Sequence, residues 1–438
     1  MSNQKKQESK RPIPTVSARE GGEIVELIYD PECRKTGFAV WRNGSWTKEE
    51  SLERTDGYTL VPYSPENNLI RHEVVVLPSQ PEEYGGQAEL LGEIEAYLHR
   101  YLDLEPSFER VTSHYVLLSW LYEAFNELPY LRFQGDFGTG KTRALIVIGS
   151  ICQKAFFASG ASTVSPIFHI LDAFRGTLIF DEADFRMSDE KAEAVKILNN
   201  GNVRGMPVLR TMINRHREFN PHAFHVFGPK VIATRGAYRD QALESRFITE
   251  EMGRRALRKD VPLNLPSGYR EEARVLRNKL LLYRFRNLET AGIGEGLADA
   301  ALSARLNQMF VPLLSIVEDR ETRTAIASRA KGYQADRTAL LGLGIEARLL
   351  EVIRDLNEGA SAQKIPLGEI ADSFRQRFGA EYARPVTNRW LGTRIRQNLH
   401  LPLYKSNGVF VLPLPAPDRL KALFDHYGVE TRGEEKAD

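Results

Sequence analysis

The sequence predicts an α/β fold whose centre is a mostly parallel sheet of five strands covered by helices. From Leu131 onward, short apolar runs alternate with helical segments, which is typical of strand–helix–strand units. A glycine-rich stretch, GDFGTGKT at 135–142, lies between the first run and the first helix. A later run ends directly in two acidic residues. The five predicted strands are YLRFQG, KAFFASG, GTLIFD, PKVIAT and RFITEEM.

Two smaller elements precede this core. Between 21 and 80, the β-favouring runs EIVELIY, GFAVWRNGSW, YTLVPY and HEVVVLP alternate with Gly and Asn turns and predict a β-rich N-terminal module. Within 81–128, AELLGEIEAYLHRYL and FERVTSHYVLLSWLYEAF carry apolar residues three and four apart, which predicts a pair of amphipathic helices. Residues 1–20 are polar and basic, so we expect a flexible tail, with an arm that contacts nucleic acid as the alternative.

The core is expected to span 129–260, and the chain beyond it is mainly helical. The spacing of apolar residues over 261–335 predicts helices, which we expect to form a lid. Within 340–415, three helices precede the hairpin PLYKSNGVFVLP, whose Asn-Gly pair at 407–408 favours a tight turn. Three helices and a β wing are the layout of a winged-helix domain. Residues 416–438 predict a last helix and a charged tail.

Composition narrows the classes of function. The formal charge is +1, from 59 basic and 58 acidic residues, so any surface that binds nucleic acid must be local. The two cysteines, Cys33 and Cys152, exclude a disulfide framework and suit a reducing compartment. Since no apolar run reaches the length of a membrane span, we expect a cytoplasmic protein with no membrane partner.

The stretch GDFGTGKT matches the phosphate-binding P-loop pattern G-x-x-x-x-G-K-[ST] in full. Its glycines allow backbone N–H groups to turn toward phosphates, and the helix that follows presents its positive end to the same anion. Lys141 can reach the β- and γ-phosphates, and Thr142 can place its hydroxyl on Mg²⁺. We therefore expect ATP and Mg²⁺ as cofactors. The predicted nucleotide-binding residues are Gly135, Gly138, Thr139, Gly140, Lys141 and Thr142.

The run LIFDE supplies acidic groups suited to hydrolysis. Asp181, at the end of an apolar strand, is predicted to hold the metal through a water molecule, and Glu182 to polarise the attacking water. An exposed acidic loop is the alternative, although three apolar residues, Leu178, Ile179 and Phe180, lead directly into the pair. Asp184 is expected to be solvated, or else to hydrogen-bond within its own loop.

The letters Asp-Glu-Ala-Asp at 181–184 are also the signature of a family of RNA helicases, but the second motor domain of that family does not follow. The order of features over 130–335 instead resembles the AAA+ ATPases, and within them the helicases of viral and plasmid replication. Lys141 and Asp181 are only 40 residues apart, a tight core similar to that of superfamily-three helicases. The resemblance implies a homo-oligomeric ring, a hexamer, with ATP bound between subunits.

The resemblance also implies roles for polar residues beyond the P-loop. PKVIAT looks like the sensor-1 strand, with Thr234 placed to sense the γ-phosphate, and ALESRFI looks like the motif whose arginine, Arg246, reaches the neighbouring subunit's ATP as an arginine finger. A salt bridge at a helix end is the alternative for Arg246, and Arg235 is a competing finger. Arg305, early in a lid helix, fits sensor 2.

Between the acidic pair and PKVIAT, the stretch NNGNVRGMPVLRTMI combines turn signals with a β-favouring run. In related replicative helicases, a β-hairpin at this place grips single-stranded DNA in the ring's channel. A solvated basic loop or an inter-subunit contact are the alternatives. The predicted phosphate-binding residues are Arg204, Arg210, Arg215 and Arg217. The nearby histidines, His216, His222 and His225, are expected to be surface residues rather than metal ligands.

The third predicted helix of the C-terminal domain carries a row of arginines, at the position where winged helices usually meet DNA. A protein-contact role is the alternative. Trp390, Leu391 and Ile395 are predicted to pack in the core of this domain. The arginines are Arg384, Arg389, Arg394 and Arg396.

Two functions fit these features. The first is an ATP-driven DNA motor that binds single-stranded DNA. It would be a ring helicase or translocase that acts in the replication of a phage, plasmid or mobile element. The second is an AAA+ initiator, helicase loader or defence ATPase that remodels a complex of protein and nucleic acid without unwinding.

Overall fold

The computed structural model describes residues 11–181, 189–213, 219–238, 240–342, 344–358, 364–382, 385–414 and 417–429. Several predictions fall outside these residues: those for Glu182, Asp184, Arg215, His216, Arg217 and Arg384, and the tails at 1–10 and 430–438. The chain divides into two compact units, Met1–Ser328 and Arg329–Asp438, and each is described by itself.

The first unit begins with the β-rich module. Its strands are β1 (Arg11–Thr15), β2 (Ser17–Glu20), β3 (Glu23–Asp30), β4 (Lys35–Arg42), β5 (Ser45–Glu49), β6 (Leu52–Glu53) and β7 (Tyr58–Pro62). Strands β2 to β5 form an antiparallel sheet in chain order, and β1, β7 and β6 form a second sheet. The module therefore starts earlier than predicted, because residues 11–20 form strands rather than a tail.

The predicted strand HEVVVLP is wrong. A short helix, α1 (Asn68–Arg71), precedes it, and the segment itself contributes only an isolated bridge between Val75 and Phe156. The N–H of Val76 donates to the carbonyl of Ala155 (2.9 Å). The apolar run thus ties the β-rich module to the edge of the core sheet, a long-range contact that its alternating pattern does not reveal.

The predicted helix pair is confirmed as α2 (Gln87–Tyr101) and α3 (Pro106–Leu121). Helix α3 starts at Pro106 because Glu105 caps it, accepting hydrogen bonds from the N–H groups of the two residues that follow the proline. Residues 111–121 of α3 are all buried, including the polar Thr112, Ser113 and His114, so this part of the helix has no solvent-facing side and is not amphipathic as predicted.

All five predicted core strands are present, and the sheet that they form is parallel. The core elements are β8 (Tyr130–Gln134), α4 (Lys141–Gly149), β9 (Phe156–Ser159), α5 (Val164–Phe174), β10 (Leu178–Asp181), α6 (Asp189–Asn200), β11 (Val208–Ile213), β12 (Phe219–Phe224), β13 (Lys230–Thr234), α7 (Gln241–Glu244) and β14 (Phe247–Glu251). The strand order is β14-β8-β13-β10-β9. Since all strands point the same way, the residues after β8, β10 and β13 meet at one edge, where α/β sheets bind ligands.

A β-hairpin interrupts this alternation between β10 and β13. Strands β11 and β12 are antiparallel, with Val208 opposite Phe224 and Ile213 opposite Phe219. The turn at 214–218 lies outside the described residues. The predicted hairpin is therefore present, but the turn signals at 199–205 precede β11 rather than joining its two strands.

A charge network joins the module, the core and the first lid helix inside the first unit. The carboxylate of Glu26 on β3 forms ion pairs with Lys154 (3.0 Å) and Arg284 (2.7 Å), and Arg284 forms a second ion pair with Glu123 (2.7 Å). Arg284 is fully buried, and Lys154 and Glu26 almost so. Two anions and two cations compensate one another, which is the condition for burying such groups.

The lid region is helical, as predicted, and its helices are α8 (Tyr269–Asn287), α9 (Ala304–Ser315) and α10 (Arg320–Gly342). Among the described residues, none of the helices combines the length and the apolar character needed to span a bilayer.

The second unit combines helices with a small antiparallel sheet. Its elements are α11 (Ile345–Glu358), β15 (Lys364–Pro366), α12 (Leu367–Phe378), α13 (Asn388–Gln397), β16 (Tyr404–Ser406), β17 (Val409–Pro413) and α14 (Pro417–Tyr427). Positive φ angles at Asn407 (52°) and Gly408 (82°) close the β16–β17 hairpin with the predicted Asn-Gly turn. Leu391 and Ile395 lie in the core as predicted, with Trp390 packed against it.

Candidate nucleotide site

The P-loop follows β8 and wraps around the start of α4. A side chain at Gly135 would lie 2.7 Å from the carbonyl oxygen of Met252, so no larger residue fits there. Gly140 adopts φ +90° immediately before the helix and provides no side-chain cap. The first N–H groups of α4 are therefore left to a ligand, as phosphate binding at a helix start requires.

Lys141 lies against the same loop. Its ammonium group donates hydrogen bonds to the carbonyls of Gly135 (2.7 Å) and Asp136 (2.6 Å). These contacts hold the cation at the centre of the loop, where it can neutralise phosphate charge. The phosphate-binding role of Lys141 stays a prediction.

The two predicted metal ligands are in direct contact. The hydroxyl of Thr142 donates to Oδ2 of Asp181 (2.7 Å). A hydroxyl and a carboxylate are oxygen ligands of the kind that Mg²⁺ prefers, and both lie at the edge of the sheet beside the P-loop. This donor set fits the magnesium ion that accompanies a nucleoside triphosphate.

Thr234 ends β13, between the strands that carry the P-loop and Asp181. Its carbonyl accepts the N–H of Gly135 (3.1 Å), which fixes it beside the phosphate loop. The residue is fully buried, and its hydroxyl has no hydrogen-bond partner among the described residues. A buried hydroxyl of this kind is normally hydrogen-bonded, and the role predicted for it toward the γ-phosphate stays a prediction.

A turn after β14 supports the P-loop from the other side, and the sequence analysis missed it. Met252 donates its N–H to the carbonyl of Gln134 (2.7 Å). Gly253 has φ +86°, and a side chain there would clash with Thr139 at 2.7 Å. The only signal in the sequence is a glycine directly after the predicted strand RFITEEM.

The two competing finger arginines lie in different places. Arg235 follows Thr234, and its guanidinium lies 3.8 Å above the ring of Phe137 in the P-loop of the same chain. Arg246 precedes β14, whose first residue, Phe247, pairs with the first residue of β8. It is therefore separated from its own P-loop by the length of β8, roughly 13 Å at 3.3 Å per residue.

Arg246 is held at that far edge by two asparagines. Its Nε donates to Asn202 (2.8 Å) and its Nη1 to Asn199 (3.0 Å). Burial lowers the pKa of Arg246, and the charge of Arg305 lowers it further, so these two arginines lie within electrostatic range of each other. The sensor-2 role of Arg305 stays a prediction.

The hairpin arginines that the structure describes are engaged within the chain. Arg204 donates to the carbonyls of Glu123 and Phe125, and its guanidinium lies 5.0 Å from the ring centroid of Phe227. Arg210 forms an ion pair with Glu193 and stacks 4.4 Å above the ring of Phe168. Both side chains therefore stabilise the base of the hairpin, a contribution that the sequence analysis did not foresee.

Two of the predicted surface histidines share an acidic partner. Asp172, near the end of α5, contacts His225 (2.8 Å) and His222 (3.4 Å). The part of the chain that the structure describes contains no cluster of three or more His, Cys, Asp or Glu arranged around a metal ion.

In the second unit, the arginines of α13 differ in their surroundings. Arg389 is exposed, and Arg396 is exposed with its guanidinium 5.8 Å from the ring of Phe410 in the β16–β17 hairpin. Arg394 pairs with Glu346 (3.4 Å). Arg394 therefore contributes to packing within the unit.

No protein-family model matches the chain, and no curated protein matches it. Among solved structures, it is similar to the apo form of the NrS-1 C-terminal region (305–718), at 12% identity over 90% of this chain and 96% of that one, with a TM-score of 0.40. A structure described as SCCmec type IV Cch, active helicase, has 12% identity over 93% and 95%, with a TM-score of 0.32. JCV helicase has 12% identity over 58% and 64%, with a TM-score of 0.25. Such values support no statement about activity, which has to be inferred from the site itself.

Proposed function

We propose that this protein is an AAA+ ATPase that uses ATP and Mg²⁺ to move along DNA, as a ring helicase or translocase in the replication of a phage or mobile element. The observation that carries the proposal is the contact between Thr142 and Asp181 at the start of the P-loop helix. It joins a phosphate-binding helix to an acidic strand end in the arrangement that hydrolysis requires.

The residues around this contact have complementary tasks. Lys141 neutralises phosphate charge, Thr142 and Asp181 hold the metal, and Glu182 takes a proton from the attacking water. Thr234 gives its buried hydroxyl to the γ-phosphate. Bound Mg²⁺ supplies the positive charge that stabilises the transferring phosphoryl group.

The position of Arg246 supports a hexameric ring in which each ATP site is completed by an arginine of the neighbouring subunit. Its guanidinium is at the sheet edge away from its own P-loop, so an effect on hydrolysis has to be exerted on ATP bound to another subunit. An arginine finger of this type contributes about 10³–10⁵ in rate.

Two surfaces are proposed to contact DNA. The β11–β12 hairpin exposes Met206 and Leu209 near its base, and the sequence between its two strands contains Arg215 and Arg217. In the second unit, which we interpret as a winged helix, Arg389 and Arg396 face solvent on α13. Basic side chains with neighbouring apolar groups suit single-stranded DNA, which is bound through its phosphates and bases.

A remodelling ATPase without unwinding activity is the second candidate. The observation that favours it is the engagement of Arg204 and Arg210 in contacts within the chain. If both stay engaged when the protein works, neither is available to bind DNA.

The deciding experiment measures ATP hydrolysis with and without single-stranded DNA, together with strand displacement. We expect stimulation by DNA and opening of a duplex. If single-stranded DNA does not change the rate of ATP hydrolysis and no strand is displaced, the DNA-motor proposal is wrong and the remodelling ATPase is the remaining candidate. Double replacement of Arg204 and Arg210 by alanine should abolish the stimulation, and melting curves separate this loss from loosening of the hairpin base.

A second experiment tests hydrolysis itself. The Glu182→Gln variant should bind ATP normally and scarcely turn it over, because the amide cannot accept the proton. The matched control is Asp184→Asn, which should hydrolyse ATP at the unmodified rate. Rapid turnover by Glu182→Gln would disprove the role of Glu182 as general base.

A further inference from the structure

Phe137 is an unusual residue for the tip of a phosphate-binding loop. Its side chain is 75% exposed, so it contributes nothing to the core of the first unit. A large aromatic side chain left in solvent does not stabilise the fold by burial. Its ring is in contact with the guanidinium of Arg235, which lies 3.8 Å from the ring centroid.

The backbone brings this pair to the phosphate site. Arg235 directly follows Thr234, whose carbonyl binds the N–H of Gly135 (3.1 Å), so the chain leaves β13 beside the P-loop. On the same loop, Lys141 is hydrogen-bonded to the carbonyls of Gly135 and Asp136. Two cationic groups therefore surround residues 135–137, which is the charge that a triphosphate requires.

On the basis of the nucleotide site proposed above, we propose that Arg235 binds the γ-phosphate of ATP held by its own subunit, and that Phe137 positions it. A guanidinium stacked on a ring keeps its N–H donors in a plane parallel to the ring. It can thus bind phosphate oxygens at its edge while its face stays on Phe137. The stack restricts the rotation of a long side chain, so less entropy is lost when ATP binds.

This assignment gives the two candidate arginines separate tasks. Arg235 is adjacent to the P-loop and acts on ATP in the same chain, whereas Arg246 is held at the opposite sheet edge by Asn199 and Asn202. Arg235 distinguishes a triphosphate from a diphosphate, and Arg246 acts between subunits.

The test compares the binding of Mg²⁺–ADP and of a non-hydrolysable Mg²⁺–ATP analogue to purified protein by calorimetry. Arg235→Ala should weaken binding of the analogue about 10-fold or more, the effect of a lost charge-assisted hydrogen bond, and change ADP binding less than about twofold. Phe137→Leu should weaken binding of the analogue about two- to fivefold, the contribution of an exposed cation–π contact. Phe137→Tyr keeps the aromatic ring and should keep the preference of the unmodified protein for the ATP analogue over ADP.

Each outcome is decisive. If Arg235→Ala keeps the unmodified preference for the analogue over ADP, the inference is wrong, and it is equally wrong if Phe137→Tyr behaves as Phe137→Leu does. If the unmodified protein binds neither nucleotide, the proposed nucleotide site itself fails. Mixing Arg235→Ala with Lys141→Ala protein separates the two directions of action. Recovered hydrolysis would show that Arg235 acts on the neighbour and would overturn the proposal, whereas no recovery supports action within one chain.

Discussion

The hydroxyl of Thr142 lies 2.7 Å from Oδ2 of Asp181, although β13 separates the two strands from which these residues follow. The contact spans β13 because α4 starts at the carboxyl edge of the sheet and turns its first residues toward the neighbouring strands. Thr234, at the end of the intervening strand, lies beneath the same loop. Three strand ends thus converge on one site.

Loss of the Thr142 hydroxyl should abolish metal-dependent hydrolysis. In Thr142→Val the side-chain shape is kept but the oxygen is removed, and we expect ATP turnover to fall by about two orders of magnitude or more, since a metal ion contributes several kcal/mol to such reactions. Thr142→Ser keeps the oxygen and should retain most activity. The measurement is the steady-state rate over a range of Mg²⁺ concentrations, and equal rates for the Val and Ser variants would contradict the metal role.

Arg246→Ala should lower the rate of ATP hydrolysis by about 10³-fold while each subunit still binds nucleotide. The reason is the position of Arg246 at the sheet edge remote from its own P-loop. Mixing Arg246→Ala with Lys141→Ala subunits should restore part of the activity, because an intact site can form between unlike neighbours. An Arg246→Ala protein that hydrolyses ATP at the unmodified rate would exclude a finger role.

The buried charge network should be essential for the stability of the first unit. Glu26→Gln removes the anion that faces Lys154 and Arg284, and leaving buried charges unpaired costs about 3–5 kcal/mol. The matched control is Lys279→Met, on the same helix as Arg284. The ion pair between Lys279 and Glu93 is partly exposed and should contribute about 1 kcal/mol or less. Denaturation midpoints compare the two variants, and similar losses would show that burial of the network is unimportant.

The same network predicts a dependence of stability on acid. Burial alone would raise the pKa of Glu123, but the charge and hydrogen bond of Arg284, together with the charges of Lys154 and Arg19, outweigh it and lower that pKa to about 2, from an ordinary 4.5. The stabilisation is therefore complete above about pH 4.5 and is lost as the pH falls toward 2, because only the unfolded chain takes up the proton in that range. Unfolding measured across this window should show a smaller pH dependence for Glu123→Gln, and an unchanged slope would contradict the assignment.

The arginines of α13 should separate into two groups. Arg389→Ala and Arg396→Ala should each weaken DNA binding. Each should also reduce the slope of the logarithm of the binding constant against the logarithm of the salt concentration by about one, because one phosphate contact is lost. Arg394→Ala should instead lower the melting temperature, because Arg394 pairs with Glu346. Fluorescence anisotropy at several salt concentrations gives the slopes. If Arg389→Ala and Arg396→Ala leave affinity unchanged, the second unit has no role in DNA binding.

The sequence alone determined the features that depend on local patterns. The five strands, the helix pair, the P-loop and the Asn407–Gly408 turn were all predictable, because each follows from the spacing of apolar residues or from glycines that allow tight backbone turns. The pairing of Thr142 with Asp181 was also predictable, since the resemblance to a known motif assigned both residues to one metal.

Only the tertiary structure decided which distant side chains meet. The parallel pairing of β13 and β14 with β8 places Arg235, after β13, at the carboxyl edge of the sheet and Arg246, before β14, at the amino edge, although they are close in the chain. Glu26 and Arg284 are 258 residues apart, and the run HEVVVLP packs against the core sheet rather than forming a strand. Such contacts depend on the free energy of burying charges and apolar surface between elements, which no local pattern encodes.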